Sequence, residues 1–170
     1  AGTGLNATMP PWVQEGGVAA WIERLQNPAC RARLRREMTT PSDQWENFLL
    51  GAGAPDKILL TGFRNERLKP LTGKSLAEVA AARGQSPEET ILDLVVEDRS
   101  RVESIFFLMS EENVRRQLRL PWVSLGSDEG ALMPDGVFLK NNPHPRAYGN
   151  FARFLGHYVR EQQLLSLAEA

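Results

Sequence analysis

The sequence predicts an α/β chain, rich in helix up to about residue 102 and alternating strand with helix after it. Three observations carry this expectation. Apolar residues recur at helical spacing between residues 12 and 102, with repeated capping signals. Short apolar runs at 48–50, 58–63, 104–108 and 122–126 are flanked by turn or capping residues, as strands are. From 104 to 165 the order reads strand, helix, strand, helix, the βαβα unit of parallel folds. A boundary is therefore expected near residue 103, separating 1–103 from 104–170.

Residues 1–11 are small and end in two prolines, which reads as a loop. Val18, Trp21, Ile22 and Leu25 lie on one helical face. Pro28 suits the first turn of a second helix carrying Ala29, Leu34 and Met38, which Pro41 and its neighbours stop. The runs 48–50 and 58–63 flank the turn cluster 51–56 and predict two short strands, arranged as a hairpin with a longer loop. Ser75 with Glu78 forms a capping box, and Gly84 closes that helix. Ser86, Pro87 and Glu89 open the next, which carries Ile91, Leu94 and Val95. A buried strand is expected at 104–108, then a Ser110-capped helix at 111–119, a strand at 122–126 and a polar turn at 127–130. After a Pro- and Asn-rich loop, a helix over 147–163 carries Phe151, Phe154, Leu155, Tyr158 and Val159 as its apolar stripe. Ser166 and Glu169 form one more capping box. The chain begins in a loop and stops at that box, so both ends read as cut from something longer.

Composition narrows the function. In 170 residues, 20 Lys and Arg balance 21 Asp and Glu, which leaves no field to draw nucleic acid or an anionic membrane. No apolar run approaches the roughly 18 residues of a membrane span. One cysteine, Cys30, excludes a disulfide framework and suits a cytoplasmic chain. Cys30 lies in a basic helical stretch and reads first as a packing or surface residue. The neighbouring arginines leave a reactive thiol open. Only His144 and His157 are present, without HxH, HExxH or CxxC spacing, so a self-contained metal site is not expected. Asp128 follows a short apolar segment, where parallel α/β folds collect reactive groups. By pattern alone, a helix cap or Asx turn is the better explanation of that aspartate.

Longer motifs add to this. The runs LMSEENVRRQ (108–117), LPWVSLGSDEG (120–130) and HPRAYGNFARFLG (144–156) occur in order, preceded by PWVQEGG (11–17) and LTGKSLAEVAAARG (71–84). Together they resemble the C-terminal part of the D-aminoacylase family, the N-acyl-D-amino-acid deacylases of the amidohydrolase superfamily. The resemblance implies a partial (β/α)₈ barrel, its last strand at 122–126 and last helix at 147–163, plus an inserted helical segment with short strands. A whole barrel takes about 250 residues, more than this chain has. It implies zinc in the full-length parent, with every zinc ligand outside this chain and none expected here. It implies Asp128 as the catalytic group that shuttles a proton from zinc-bound water to the leaving nitrogen. It places Met109 at the substrate pocket. By analogy with that active face, Arg146 holds the substrate carboxylate, a loop salt bridge being the simpler reading. The substrate is an N-acyl-D-amino acid, and the chain alone is expected to be inactive. Unpaired edges on strand 122–126 make a homo-oligomer an expectation. The competing expectation is a stand-alone helix-rich binding or structural module without catalysis.

Overall fold

The structure, a computed structural model, describes residues 2–137 and 143–170. It divides into two compact units, Ala1–Leu108 and Met109–Ala170. The division falls five residues beyond position 103, so the strand that ends at Phe106 stays with the first unit.

The first unit opens with strand β1 (Gly2–Gly4). Helix α1 (Gly17–Gln26) buries Trp21, Ile22 and Leu25, the face its spacing predicts. Helix α2 (Pro28–Thr39) starts where Asn27 accepts hydrogen bonds from the Ala29 and Cys30 amides, and Pro28 fills a position that needs no donor. Helix α3 is Phe48–Ala52, strand β2 is Ile58–Gly62, helix α4 is Leu76–Arg83 and helix α5 is Pro87–Asp98. Strand β3 (Glu103–Phe106) completes the unit's regular elements.

Several expectations hold to within a residue or two. The Ser75–Glu78 capping box is fully made, and Gly84 closes α4 in the left-handed conformation. Ser86 caps α5 through the Glu89 amide. The run 48–50 is a correction: it is helix, not the first strand of a hairpin. The side chain of Asn47 accepts from the Leu49 and Leu50 amides, and Gly53 ends the turn at φ +77. Three apolar residues in a row carry no period, so the cap decides the conformation.

The sheet is a second correction. Its order is β1-β3-β2 and both pairings are antiparallel, Thr3 opposite Ser104 and Leu59 opposite Ile105. The βαβα reading expects a parallel pairing after residue 104. Instead β3 turns back between two earlier strands. Strand β1, read as loop, is short and two-thirds glycine, so no side-chain pattern marks it. A Cβ on Gly4 would sit 2.7 Å from Arg101 Cγ and 2.7 Å from Asn6 Oδ1. Glycine is required there for the close approach, not for its own φ.

The core lies against one face of this sheet. Ile58, Leu60 and Phe106 from the strands meet Leu25, Leu34, Met38, Leu76, Ile91 and Val95 from the helices. Phe48 meets the Phe106 ring edge-on at a centroid distance of 5.3 Å. The remaining edge of β2 is covered, with the Leu60 amide on Lys74 O at 2.9 Å and the Gly73 amide on Leu60 O at 2.8 Å. Arg31 and Arg35 of α2 pair with Glu89 and Asp93 of α5 and tie those helices together. Cys30 sits half-buried on α2 as a free thiol.

The second unit holds helix α6 (Glu111–Leu118), capped by Ser110, and helix α7 (Arg146–Arg153). From Phe154 to Glu161 the latter continues as π-helix, so the expected helix over 147–163 is present with a wider second half. Phe154 and Tyr158 are buried, while Phe151 and Leu155 are about half exposed. Burial raises the Tyr158 hydroxyl above its ordinary range, and its hydrogen bond to Glu111 at 2.9 Å adds to this. Residues 122–126 form no strand, which corrects the expected last strand. An extended segment becomes a strand only when a neighbour takes its ladder bonds, and Trp122 is 77% exposed. The unpaired strand edges expected there are accordingly absent. The polar loop that precedes α7 lies partly outside the described residues. The Ser166–Glu169 box forms, with the Ser166 hydroxyl and amide both on the Glu169 carboxylate.

Candidate functional site

Asp128 and Arg146, eighteen residues apart in sequence, meet in the second unit. The segment 126–129 lies against the first turn of α7 and is held there at three points. Arg146 Nη2 donates to the Asp128 carbonyl at 3.0 Å and lies 3.1 Å from Asp128 Oδ2. Arg146 Nε donates to Glu129 Oε2 at 3.2 Å. One turn further along, Asn150 Nδ2 donates to Gly126 O at 3.1 Å. The guanidinium thus reaches both acids, Asp128 through Nη2 and Glu129 through Nε. The arginine reaches them because α7 begins at Arg146 itself, its amide donating to His144 Nδ1 at 3.2 Å.

The two acids differ in setting. The Asp128 side chain is 91% exposed, whereas Glu129 and Arg146 are 22% and 25% exposed. Asp128 also has φ +50, in the left-handed region that a non-glycine residue occupies at a cost. Its backbone carbonyl is one of the groups Arg146 holds. An ion pair this exposed contributes about 1 kcal/mol or less to stability.

His144 completes the surroundings. Burial holds its imidazole below the ordinary range, and the Arg146 cation adds to this. A neutral ring is what the hydrogen bond requires, since Nδ1 must accept the Arg146 amide. His144, Arg146, Asn150, Arg153, His157 and Arg160 line a groove of about 610 Å³ whose walls do not include Asp128. Met109, the other residue expected at a substrate pocket, is 69% exposed. Among the described residues no three of His, Cys, Asp and Glu gather as metal ligands. No helix among them is long and apolar enough to cross a membrane.

Sequence reasoning singled out Asp128 and Arg146 separately, and weighed a salt bridge for Arg146 without naming its partners. It passed over Glu129 and Asn150. Glu129 stands next to Asp128 in the polar turn, and that adjacency is the available signal. Asn150 lies one turn along α7 from Arg146, a spacing visible only once the helix start is known.

The chain as a whole is similar to known deacylases. A D-aminoacylase of Alcaligenes xylosoxydans xylosoxydans is 38% identical over 119 residues, which is 68% of this chain and 22% of that protein. An N-acyl-D-glutamate deacylase of the same organism is 39% identical over 100 residues, 58% of this chain and 18% of that one. The chain is a homologue of the N-acyl-D-amino-acid deacylases. An N-acyl-D-aspartate deacylase, again from that organism, is 36% identical over 99 residues. Among solved structures, an N-acyl-D-glutamate deacylase from Bordetella bronchiseptica, complexed with zinc and a phosphonate inhibitor, superposes with a TM-score of 0.54 at 31% identity. That match covers 70% of this chain and 22% of the other. No family model matches. The chain spans about a fifth of the length of these deacylases.

Proposed function

We propose that this chain is a portion of a larger N-acyl-D-amino-acid deacylase, an amide hydrolase, and that it supplies the carboxylate that moves the proton during hydrolysis, Asp128. The observation that carries the reading is the similarity, at 36–39% identity, to a D-aminoacylase, an N-acyl-D-glutamate deacylase and an N-acyl-D-aspartate deacylase. The setting of Asp128 supports its role: an open carboxylate on a clasped segment can meet a water and a substrate nitrogen in turn. In this reading it takes a proton from the water that attacks the carbonyl and returns it to the departing amine. The larger fold in this reading is the (β/α)₈ barrel, to which Arg146–Glu161 contributes a helix. The protein works in the cytoplasm.

The donors near Asp128 are too few for a zinc site, and among the described residues no group of three ligands gathers. Asp128 is a single exposed carboxylate, and His144 has committed Nδ1 to the α7 amide. No metal ligand is assigned to it, and zinc enters only as the metal of the larger protein, held by residues elsewhere. Met109 and Arg146 are the substrate contacts in this reading. A substrate carboxylate reaching Arg146 would share the guanidinium with Asp128 and Glu129.

The test is Asp128→Asn in the full-length protein. Steady-state hydrolysis of N-acetyl-D-glutamate, N-acetyl-D-aspartate and N-acetyl-D-leucine should show kcat reduced by about 100-fold or more on whichever substrates the wild type accepts. KM should stay within a few-fold. An unchanged kcat would contradict the assignment.

A further inference from the structure

We infer that Glu129 is a positioning residue for Asp128, acting through Arg146; the inference rests on Asp128 being the proton-moving carboxylate. The segment that carries Asp128 has no strand neighbours. Its place is set by side chains of α7, and two of the three contact points belong to one guanidinium. A guanidinium on a long, flexible stem fixes nothing unless it is itself fixed. Glu129 does this, because its Oε2 takes the Nε edge at 3.2 Å and so orients the plane whose Nη2 edge meets Asp128. Both Glu129 and Arg146 are largely withdrawn from solvent while Asp128 is not. The clasp thus has a sheltered half that holds and an open half that is held.

The charges fit the same division. Arg146 faces two carboxylates, Asp128 and Glu129, and the half-buried imidazole of His144 lies at the start of the same helix. Removing Glu129 leaves Arg146 one acid partner, the exposed Asp128. The guanidinium is then free to swing on its stem and follow that carboxylate, or a substrate carboxylate, away from the present geometry. Binding of a substrate whose carboxylate reaches Arg146 will weaken as well, but the reaction step depends in addition on where Asp128 stands. Misplacement of a reacting group by about an ångström costs on the order of 100-fold in rate.

The full-length enzyme tests this with Glu129→Ala and Glu129→Gln beside Asp128→Asn. Glutamine keeps an acceptor for the Nε–H of Arg146, and alanine does not. The expected result is a kcat at least about tenfold lower in E129A at saturating substrate, with any rise in KM reporting the substrate contact of Arg146, and recovery of most of the kcat loss in E129Q. In the 170-residue chain the Arg146 Nε–H resonance should be sharp in the wild type and in E129Q, and broadened by exchange in E129A. Wild-type kcat in E129A, alongside an inactive D128N, would overturn the inference and leave the reading of Asp128 standing. A fall in kcat that E129Q does not recover, accompanied by loss of folded enzyme, would also overturn it. A fully active D128N would remove the reading on which it rests.

Discussion

A carboxylate that is open to water on most of its surface and paired on one side can gain and lose a proton without disturbing what surrounds it. Asp128 has that setting, and its neighbours supply the order that exposure removes. The surrounding charges also set how the site responds to pH. His144 accepts the Arg146 amide through Nδ1, so a proton on that nitrogen would end the hydrogen bond at the start of α7. Burial, then the nearby Arg146, holds its affinity for protons below the ordinary value of 6.5. The unfolded chain therefore takes this proton first as pH falls. Stability at α7 should rise with pH from below the depressed midpoint up to about 6.5, and the penalty should be complete below that window. NMR titration of the His144 ring should give a midpoint below that of the denatured chain. A midpoint at or above it would contradict the geometry. Sequence alone pointed to Asp128 and Arg146, because the motifs around 128 and 146 resemble a known family. It could not show that the two touch, since a contact across eighteen positions depends on the intervening loop.

Local chemistry decided the elements that the sequence made legible and those it did not. Capping residues placed α4 and α5 correctly, because a serine followed by an acid three positions on satisfies donors wherever it occurs. The same physics was available at Asn47 and was outweighed by the apolar run after it. Asn47→Ala should lower stability by about 1 kcal/mol, since it leaves the Leu49 and Leu50 amides without their acceptor. Urea unfolding would read this as a lower midpoint at constant slope, and Asn47→Asp should restore only part of it, because aspartate caps the helix but lacks the Nδ2 donor to Met38 O. An unchanged midpoint in the alanine variant would show that the cap contributes nothing. The segment 122–126 failed as a strand for a different reason. A strand is a property of a pair, and its composition says only that it is suited to pairing. Strand β1 was missed for the converse reason, because Gly2, Thr3 and Gly4 pair without any pattern to announce it.

At the scale of the molecule, the helical half of the expected α/β class is present, and the sheet is antiparallel where a parallel one was expected. The order of elements was legible from periodicity, but the direction of pairing depends on which earlier strand is at hand. Here β3 finds β1 and β2, and the continuous buried core of residues 5–106 closes around them. The second unit buries much less, with Phe151, Leu155, Val123 and Trp122 all substantially exposed. It nonetheless carries the carboxylate on which the proposed chemistry turns. Homology extends over about a fifth of the deacylases' length, and in the proposed function the remainder of such a protein supplies the rest of the chemistry. The most direct measurement is amine release from N-acyl-D-amino acids and their L-enantiomers, by the 170-residue chain and by the full-length protein that contains it. The account predicts turnover of D-substrates by the full-length protein and none above background by the chain alone. Hydrolysis by the isolated chain at a comparable rate, or a full-length protein inert toward every D-substrate, would contradict it.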